Sequence, residues 1–349
     1  MKNILLSYQD IYNINIGDYI QSLAARQFFN EGNETISINR DELSLYKGNN
    51  AKVIMNGWFT YKPKTWIPSP NIVPLFVAFH LNSSILESAL SDENINYLKK
   101  HEPIGCRDSY TVNVLTEKGI KAYYSGCLTT TLGYKFPIKE KDKKDIIIVD
   151  PYSYMPNGKG LYELFVTFIQ FIINFKSICK LIKKYKQNNK YTINFSKIGI
   201  GRLFLLTKTY LLLKDLLDDD LIWEAKYITH YYMHNEYPTE KERFERAVEL
   251  LNLYGNAKYV ITSRIHCAFP CLGLNTPVAY IRNHAEDDKS TCRLENTKDL
   301  LNLISLKGNK IIDKFITTKF NTNTTFTNKK EYLKNRELLI QKCTYFFTH

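Results

Sequence analysis

The chain has 349 residues, of which 44% are hydrophobic and 23% charged, and these proportions exclude a disordered, collagen-like or coiled-coil protein. At roughly 100–200 residues per domain, the length predicts two domains. The formal net charge is +12, and the seven cysteines include no CxxC pair, which favours reduced thiols in a cytosolic protein.

Short apolar runs in the first part of the chain are predicted to be β-strands. They are Lys2–Leu6, Glu34–Asn39, Lys52–Asn56, Leu75–His80, Pro103–Cys106 and Ile120–Tyr124. Amphipathic helices are predicted between them, at Asp18–Phe29 and Ser109–Lys118. This alternation of strand and helix favours a parallel sheet with covering helices.

The alternation resumes after Tyr134–Lys144, a charged segment with a proline that we interpret as a linker. Further strands are predicted at Asp145–Asp150, Lys226–Tyr231, Lys258–Thr262 and Pro277–Ile281. The sequence therefore predicts an α/β protein with two Rossmann-like domains, residues 1–135 and 145–310, that face each other across a cleft. A C-terminal helix is predicted within residues 329–349. Ligands of such sheets bind beyond the carboxyl ends of the strands.

Residues 161–217 are predicted to form a basic, apolar helical insert in the second domain. The apolar run Leu164–Ile173 precedes a lysine-rich segment, and acidic residues in the insert are rare. Two interpretations stand equal: contact with an anionic membrane surface, or a packed insert with a basic outer face. Nucleic-acid binding is not expected, because no stacking platform or reading motif accompanies the charge. With no signal peptide and no apolar run near the ~20 residues that span a bilayer, we expect a cytoplasmic protein, with peripheral contact to the inner leaflet under the first interpretation.

The strongest candidate site lies in Lys258–Ile281. A strand ends at Thr262-Ser263, and Arg264 and His266 fall at the start of a short helix. The N-terminus of a helix offers free N–H groups and a positive dipole end, so this pattern suits a phosphate or carboxylate. The alternative is that Ser263 caps the helix and Arg264 is a solvated charge. Arg293, after the next turn, is a further candidate cation.

Two more candidates lie where predicted strands pass into helices in the first domain. Gly17 permits close backbone approach, and Asp18 is either a base that orients a substrate hydroxyl or an N-cap. Arg107, in the segment PIGCRDSY, is either an anion-binding residue or half of a buried pair with Asp108.

Several single residues end predicted strands and are candidates to face the cleft: Asn56, Trp58, His80 and His230. His230 is also a candidate general acid or base. Cys267 and Cys271 are expected to be core residues rather than metal ligands, and Glu286-Asp287-Asp288 a solvated turn. No metal site is predicted.

Taken together, four motifs resemble the polysaccharide pyruvyl transferase family: Gly17-Asp18, Cys106–Ser109, Ser125–Leu132 and especially Ile261–Val278. The resemblance spans about residues 10–300, and residues 164–220 have no counterpart in it. It implies two Rossmann-type domains of the glycosyltransferase B architecture. It also implies transfer of pyruvate from phosphoenolpyruvate onto two hydroxyls of a sugar, as a cyclic ketal, on a lipid-linked or polymeric glycan of a capsule or exopolysaccharide.

The implied chemistry needs cations for the donor, a proton donor and a base, but no cofactor and no metal. We assign Asp18, His266 and His230 to catalysis. Donor binding is assigned to Arg264, His266, Ser263, Arg293 and Arg107, and acceptor binding to Gly17, Asn56, Trp58 and His80. The alternatives are a glycosyltransferase of the same architecture that uses a nucleotide-activated sugar, and a non-catalytic glycan- or membrane-binding protein.

Overall fold

The computed structural model describes residues 1–8, 13–59, 66–138, 145–156, 160–189, 199–285 and 296–349. Within these ranges the protein is a mixed α/β structure with several parallel sheets and 12 α-helices. Core residues lie on both faces of the largest sheet, as the buried strand patterns predict.

The described residues of the first half form nine strands and four α-helices. They are β1 (Lys2–Ser7), β2 (Asn13–Asn15), α1 (Ile16–Arg26), β3 (Thr35–Asn39), β4 (Ala51–Ile54), β5 (Gly57–Trp58), β6 (Ile72–Leu75), β7 (Phe79–His80), α2 (Leu86–Ala89), α3 (Asp92–Lys99), β8 (Ile104–Cys106), α4 (Ser109–Glu117) and β9 (Ala122–Tyr124). Two parallel sheets result, with strand orders β3-β1-β4-β6 and β5-β7-β8-β9.

The predicted strand Leu75–His80 is wrong, because this stretch is divided between two strands. β6 ends at Leu75 and β7 begins at Phe79, and between them Ala78 has a φ of 52°. This left-handed conformation is costly for a residue with a Cβ. The N–H of Ala78 donates to Ser125 Oγ at 3.0 Å, which holds the break in place.

The second half contains one large sheet and its covering helices. Its elements are β10 (Asp145–Val149), α5 (Leu161–Ile173), α6 (Phe175–Asn188), α7 (Ile200–Leu216), α8 (Asp219–Glu224), β11 (Lys226–Ile228), β12 (Tyr231–Met233), α9 (Glu240–Gly255), β13 (Ala257–Thr262), α10 (Ile265–Gly273), β14 (Val278–Asn283), α11 (Thr297–Leu300), β15 (Asn302–Lys307), β16 (Lys310–Lys314) and α12 (Leu333–Thr348). The sheet order is β11-β10-β13-β14-β15-β16, and only β16 is antiparallel to its neighbour.

The predicted strand Lys226–Tyr231 is confirmed in its first three residues, but its continuation to Tyr231 is wrong. β11 ends at Ile228, and β12 leaves the large sheet to pair antiparallel with β2 of the first half. Between them, His230 donates its N–H to Asp150 Oδ2 at 2.9 Å and accepts from the N–H of Ile16 at 3.1 Å. These bonds draw the chain from the sheet towards the start of α1.

The two halves share one hydrophobic cluster. One face of the large sheet packs under α6, α7 and α8, whereas the other face joins α9, α10 and the core of the first half. The ring of Tyr19 meets that of Phe244 edge-on at 5.0 Å. Arg243 of α9 donates to the carbonyl of Tyr8 and to Tyr19 Oη. Part of the predicted linker, residues 139–144, lies outside the described residues, and the domain boundary stays a prediction.

The described part of residues 161–217 contains α5, α6 and α7, and the C-terminal segment contains α12. In the insert, α6 and α7 contribute buried side chains to the core, whereas Thr167 is the one buried residue of α5. In the described part of the chain, no single helix has the length and apolarity to cross a bilayer, although α5 and α6, bent by 89°, meet that test as a pair. α12 packs back onto the first half, where Arg336 Nε donates to the carbonyl of Thr130.

Candidate active site

α10 begins directly after β13, at the motif that the sequence singled out. β13 ends at Thr262, and the N-cap position is Arg264, which makes no side-chain capping hydrogen bond. Ser263 is not the cap, so that alternative is wrong: its Oγ donates to the carbonyl of Asp150 at 2.6 Å. The N–H groups of Cys267 and Ala268 already donate to the carbonyl of Arg264. The positive dipole end of the helix still suits an anion.

Residues from both halves of the chain meet at His266. Arg107 Nη1 lies 3.5 Å from His266 Nε2, although the two residues are 159 positions apart. Gly17 is also in contact, because a Cβ placed on it would lie 2.9 Å from the Cβ of His266. The structure thus brings three predicted residues, Gly17, Arg107 and His266, into one cluster. His266 is buried and non-helical, with φ −83° and ψ 16°.

Asp18 lies in the first turn of α1 beside this cluster, but it is not the N-cap, and that alternative is wrong. The cap is Asn15, whose side chain accepts from the N–H of Gly17. Asp18 Oδ1 instead accepts from Gln21 Nε2 at 2.9 Å. Gln21 Oε1 in turn accepts from Arg107 Nη1 at 3.2 Å.

Gln21 is therefore a central residue of the cluster, although it was not predicted from the sequence. It links Asp18 to Arg107, and its carbonyl accepts from Asn56 Nδ2 at 3.0 Å. The available signal was its position three residues after Asp18, on the same side of α1. A buried polar residue on that side is informative, because burial of an amide requires partners.

Arg264 is not a solvated charge, which corrects the alternative interpretation of the motif. Its Nε donates to Asp150 Oδ2 at 2.9 Å, and its guanidinium lies 4.3 Å from the ring centre of Tyr231. Burial alone would raise the pKa of Asp150, but the charge of Arg264 and the N–H of His230 outweigh it and hold the pKa below its ordinary value. The ion pair holds the Arg264 side chain against Asp150.

A cavity of about 240 Å³ opens beside Arg264. Asp150, Tyr185 and Tyr231 line it, together with Arg202 from α7 of the insert. Neither Asp150 nor Arg202 was predicted from the sequence as a site residue. Asp150 ends a buried strand, which is a usable signal, whereas nothing in the sequence around Arg202 predicts its approach to Arg264.

His230 is fully buried behind Asp150. Its Nε2 lies 2.6 Å from Tyr254 Oη. Burial lowers the pKa of His230 to about 3, against the opposing charge of Asp150, with Arg264 and Arg246 lowering it further. The imidazole is therefore neutral at neutral pH, and its role as acid or base stays a prediction.

The remaining acceptor candidates are His80, Asn56 and Trp58 of the first half. His80 Nδ1 is 2.6 Å from Asp108 Oδ2, with both side chains buried. Burial opposes the charge of Asp108, but its bond to His80 prevails and keeps its pKa below the ordinary value, with help from Arg107. Asn56 is buried against Gln21, and Trp58 is half-buried. Arg293 and Glu286-Asp287-Asp288 lie outside the described residues.

The cysteine prediction is confirmed, since Cys267 and Cys271 are both fully buried in the core. In the described ranges, no group of three His, Cys, Asp or Glu side chains is arranged to hold a metal ion.

The comparison with known families gives one clear result. A family model, polysaccharide pyruvyl transferase, matches residues 15–285, a range that contains every residue of the cluster around His266. Neither a curated protein nor a solved structure matches the chain. With most of its length matched, the chain belongs to the polysaccharide pyruvyl transferase family, whose members are transferases that move pyruvyl groups to polysaccharides.

Proposed function

We propose that the pyruvyl donor is phosphoenolpyruvate and that the product is a cyclic ketal on a sugar of a lipid-linked or polymeric glycan. The observation that carries the proposal is the meeting of Arg107 with His266 in the first turn of α10. Phosphoenolpyruvate bears a phosphate and a carboxylate, and each needs positive charge or N–H donors. The site offers both, from two directions.

In this proposal the second half holds the donor and the first half presents the acceptor. The first-turn N–H groups of α10 and Arg264 bind one anionic group, and Arg107 binds the other. Asp18, held by Gln21, faces the sugar hydroxyls. This division of labour fits two Rossmann-like domains in a glycosyltransferase B arrangement, which the parallel sheets of both halves support.

The chemical step can be written with its protons. C3 of phosphoenolpyruvate gains a proton, which leaves oxocarbenium character at C2. One sugar oxygen bonds to C2, the bond from C2 to the phosphate oxygen breaks, and the second sugar oxygen bonds to C2. The two sugar hydroxyls release two protons in all. One proton is taken up at C3, and the other leaves with the phosphate as hydrogen phosphate. His266 supplies a proton to the donor, and Asp18 receives one from a hydroxyl.

The wider setting is also a proposal. We propose that the glycan is part of a capsule or exopolysaccharide. We place the enzyme in the cytoplasm, and the free thiols of the six described cysteines fit a reducing compartment.

A thermal-shift panel tests the donor. The ligands are phosphoenolpyruvate, pyruvate, phosphate, UDP, CMP and GDP, each on wild type, Arg264→Ala and Arg26→Ala. Arg26 is exposed at the far end of α1 and serves as the charge-matched control. A ligand at ~100 Kd stabilises the folded protein by about 2.7 kcal/mol.

We expect a shift with phosphoenolpyruvate that Arg264→Ala loses and Arg26→Ala keeps. A shift with a nucleotide instead identifies a glycosyltransferase and contradicts the proposed donor. No shift with any ligand, at concentrations well above the usual range of substrate affinities, favours a non-catalytic protein.

A further inference from the structure

We propose that α5, together with the lysines of α6, is a docking surface for an anionic lipid bilayer. Six apolar side chains along α5 are each between 55% and 80% exposed: Leu161, Tyr162, Phe165, Phe168, Ile172 and Ile173. We call this set the α5 face. Apart from the adjacent pairs at 161–162 and 172–173, they are spaced by three or four residues, which places them along one side of the helix.

The opposite side of α5 is anchored, so the exposure is not a sign of an unformed helix. Leu164 and Phe171 pack against the cluster beneath the large sheet. Glu163 forms an ion pair with the buried Lys208 of α7, at 3.5 Å. One side of α5 is therefore packed against the protein, whereas the α5 face is exposed to solvent. A contiguous exposed apolar patch of this kind marks an interaction site.

The charge beside the α5 face identifies the partner. α6 follows after Asn174 at a bend of 89°, and its apolar side chains are buried in the core. Its lysines at 176, 180, 183 and 186 are exposed. The single acidic residue of the two helices, Glu163, is taken up by Lys208. An apolar face flanked by lysines matches a bilayer surface that offers acyl chains and anionic headgroups side by side.

The geometry favours a helix in the plane of the membrane. α5 has 13 residues, a length of about 20 Å at 1.5 Å per residue, whereas the hydrocarbon core of a bilayer is about 30 Å thick. A second copy of the chain is a poorer partner. A two-fold contact through the α5 face would bring the same patch of each copy together. The lysines of the two α6 helices would then approach each other, and their like charges would repel.

Docking also brings the proposed active site to the membrane surface. α7 packs against α5 and contributes Arg202 to the cavity beside Arg264. For this point alone the inference rests on the proposed function, since a lipid-linked acceptor lies at the same surface. Vesicle binding is measured without turnover, so its failure is distinguishable from failure of the transfer chemistry.

The test is co-sedimentation of the full chain with vesicles of phosphatidylcholine, with and without phosphatidylglycerol. One variant, Phe165→Gln/Phe168→Gln/Ile172→Gln, removes apolar area, and another, Lys176→Gln/Lys183→Gln, removes charge. The control is Leu45→Gln/Ile312→Gln, which alters apolar residues that are 68% and 56% exposed elsewhere on the surface. Equal melting temperatures of the variants and wild type establish that each is folded.

We expect wild type and control to sediment with the anionic vesicles, less so as salt is added. The apolar variant loses binding, and the lysine variant loses about 30-fold in affinity, since each lysine near an anionic surface contributes ~1 kcal/mol, or about fivefold. No wild-type binding at low salt overturns the proposal. An equal loss of vesicle binding in the control also overturns it. A dimer in sedimentation velocity that only the apolar variant abolishes would assign the α5 face to a second copy of the chain instead.

Discussion

At the residue scale, the neighbours of Asp150 decide which side chains around it are charged. The carboxylate accepts from Arg264 and from the N–H of His230. Because both bonds stabilise the charged form, Asp150 stays ionised although it is buried. His230, in the same region, is kept neutral by burial. The site therefore holds Arg264 in a fixed position without a net buried charge at the pair.

The low pKa of His230 predicts an acid-sensitive fold. Its ordinary pKa is 6.5 and its folded pKa is about 3, so between these values the unfolded chain binds a proton that the folded chain does not. The free energy of unfolding therefore falls as the pH is lowered from about 6.5 towards 3, and the contribution of His230 is fully present above 6.5.

Substitution of His230 tests this directly. His230→Gln should lower the urea midpoint at pH 8, because the bond to Tyr254 is weakened. The gap between variant and wild type should narrow as the pH falls from 6.5 to 5. His349→Gln, at the exposed C-terminus, is the control and should follow wild type. A gap that stays constant over this pH range would show that His230 is not held neutral.

At the scale of elements, the position of α10 depends on two glycines that allow close approach. Gly17 of α1 leaves space for His266, and Gly273 at the end of α10 lies against the 3-10 helix Leu128–Thr131. The motif around Ser125–Leu132 therefore has a packing role: it is the surface against which the helix that carries His266 rests.

Gly17→Ala should disturb the site. The new Cβ would lie 2.9 Å from the Cβ of His266, so one helix must shift, and the expected loss is about 1–3 kcal/mol in the free energy of unfolding. Binding of phosphoenolpyruvate should weaken as His266 moves. Gly201→Ala, in α7 with only Met155 Cε at 3.4 Å, is the matched control and should not be destabilised. Unchanged donor affinity in Gly17→Ala would remove this contact from the site.

Gly273→Ala should cost more stability than Gly17→Ala. A Cβ at Gly273 would meet the carbonyl oxygens of Leu132, Thr129 and Thr130 at 2.7, 2.8 and 2.8 Å. Backbone atoms cannot turn away as a side chain can, so we expect a loss above about 2 kcal/mol. Chemical denaturation measures it, and a midpoint equal to wild type would refute the packing described here.

Particular residues show what the sequence could predict. The strand β13 and the start of α10 follow from local patterns, and Arg264 and His266 were placed correctly at that junction. The contact of Arg107 with His266 spans 159 positions and has no local signal, nor has the part played by Gln21. α5 is apolar on nearly every side, so periodicity could not distinguish a packed helix from an exposed one. The breaks at Ala78 and His230 depend on long-range hydrogen bonds.

At the scale of the whole molecule, the two halves are joined by one hydrophobic cluster. It contains residues of α1, α9 and α10 and one face of the large sheet. A shared cluster of this kind couples the stability of the halves, and it also keeps Arg107 at a fixed distance from His266. The site is thus a product of the association of both halves.

This coupling predicts a single unfolding transition. In Trp223→Phe the remaining tryptophans, Trp58 and Trp66, both lie in the first half, so fluorescence reports that half alone. Circular dichroism reports the whole chain. The two midpoints in urea should coincide. A fluorescence midpoint well below that of circular dichroism would show that the first half unfolds separately.

The most direct test of the account is a double-mutant cycle on donor affinity. Calorimetry gives the Kd for phosphoenolpyruvate of wild type, Arg107→Gln, His266→Gln and the double variant. If both residues hold one ligand, each single substitution weakens binding. The loss of binding free energy in the double variant then differs from the sum of the two single losses by about 0.5–3 kcal/mol. Additive effects, or an unchanged Kd in either single variant, would contradict a donor site shared between the two halves of the chain.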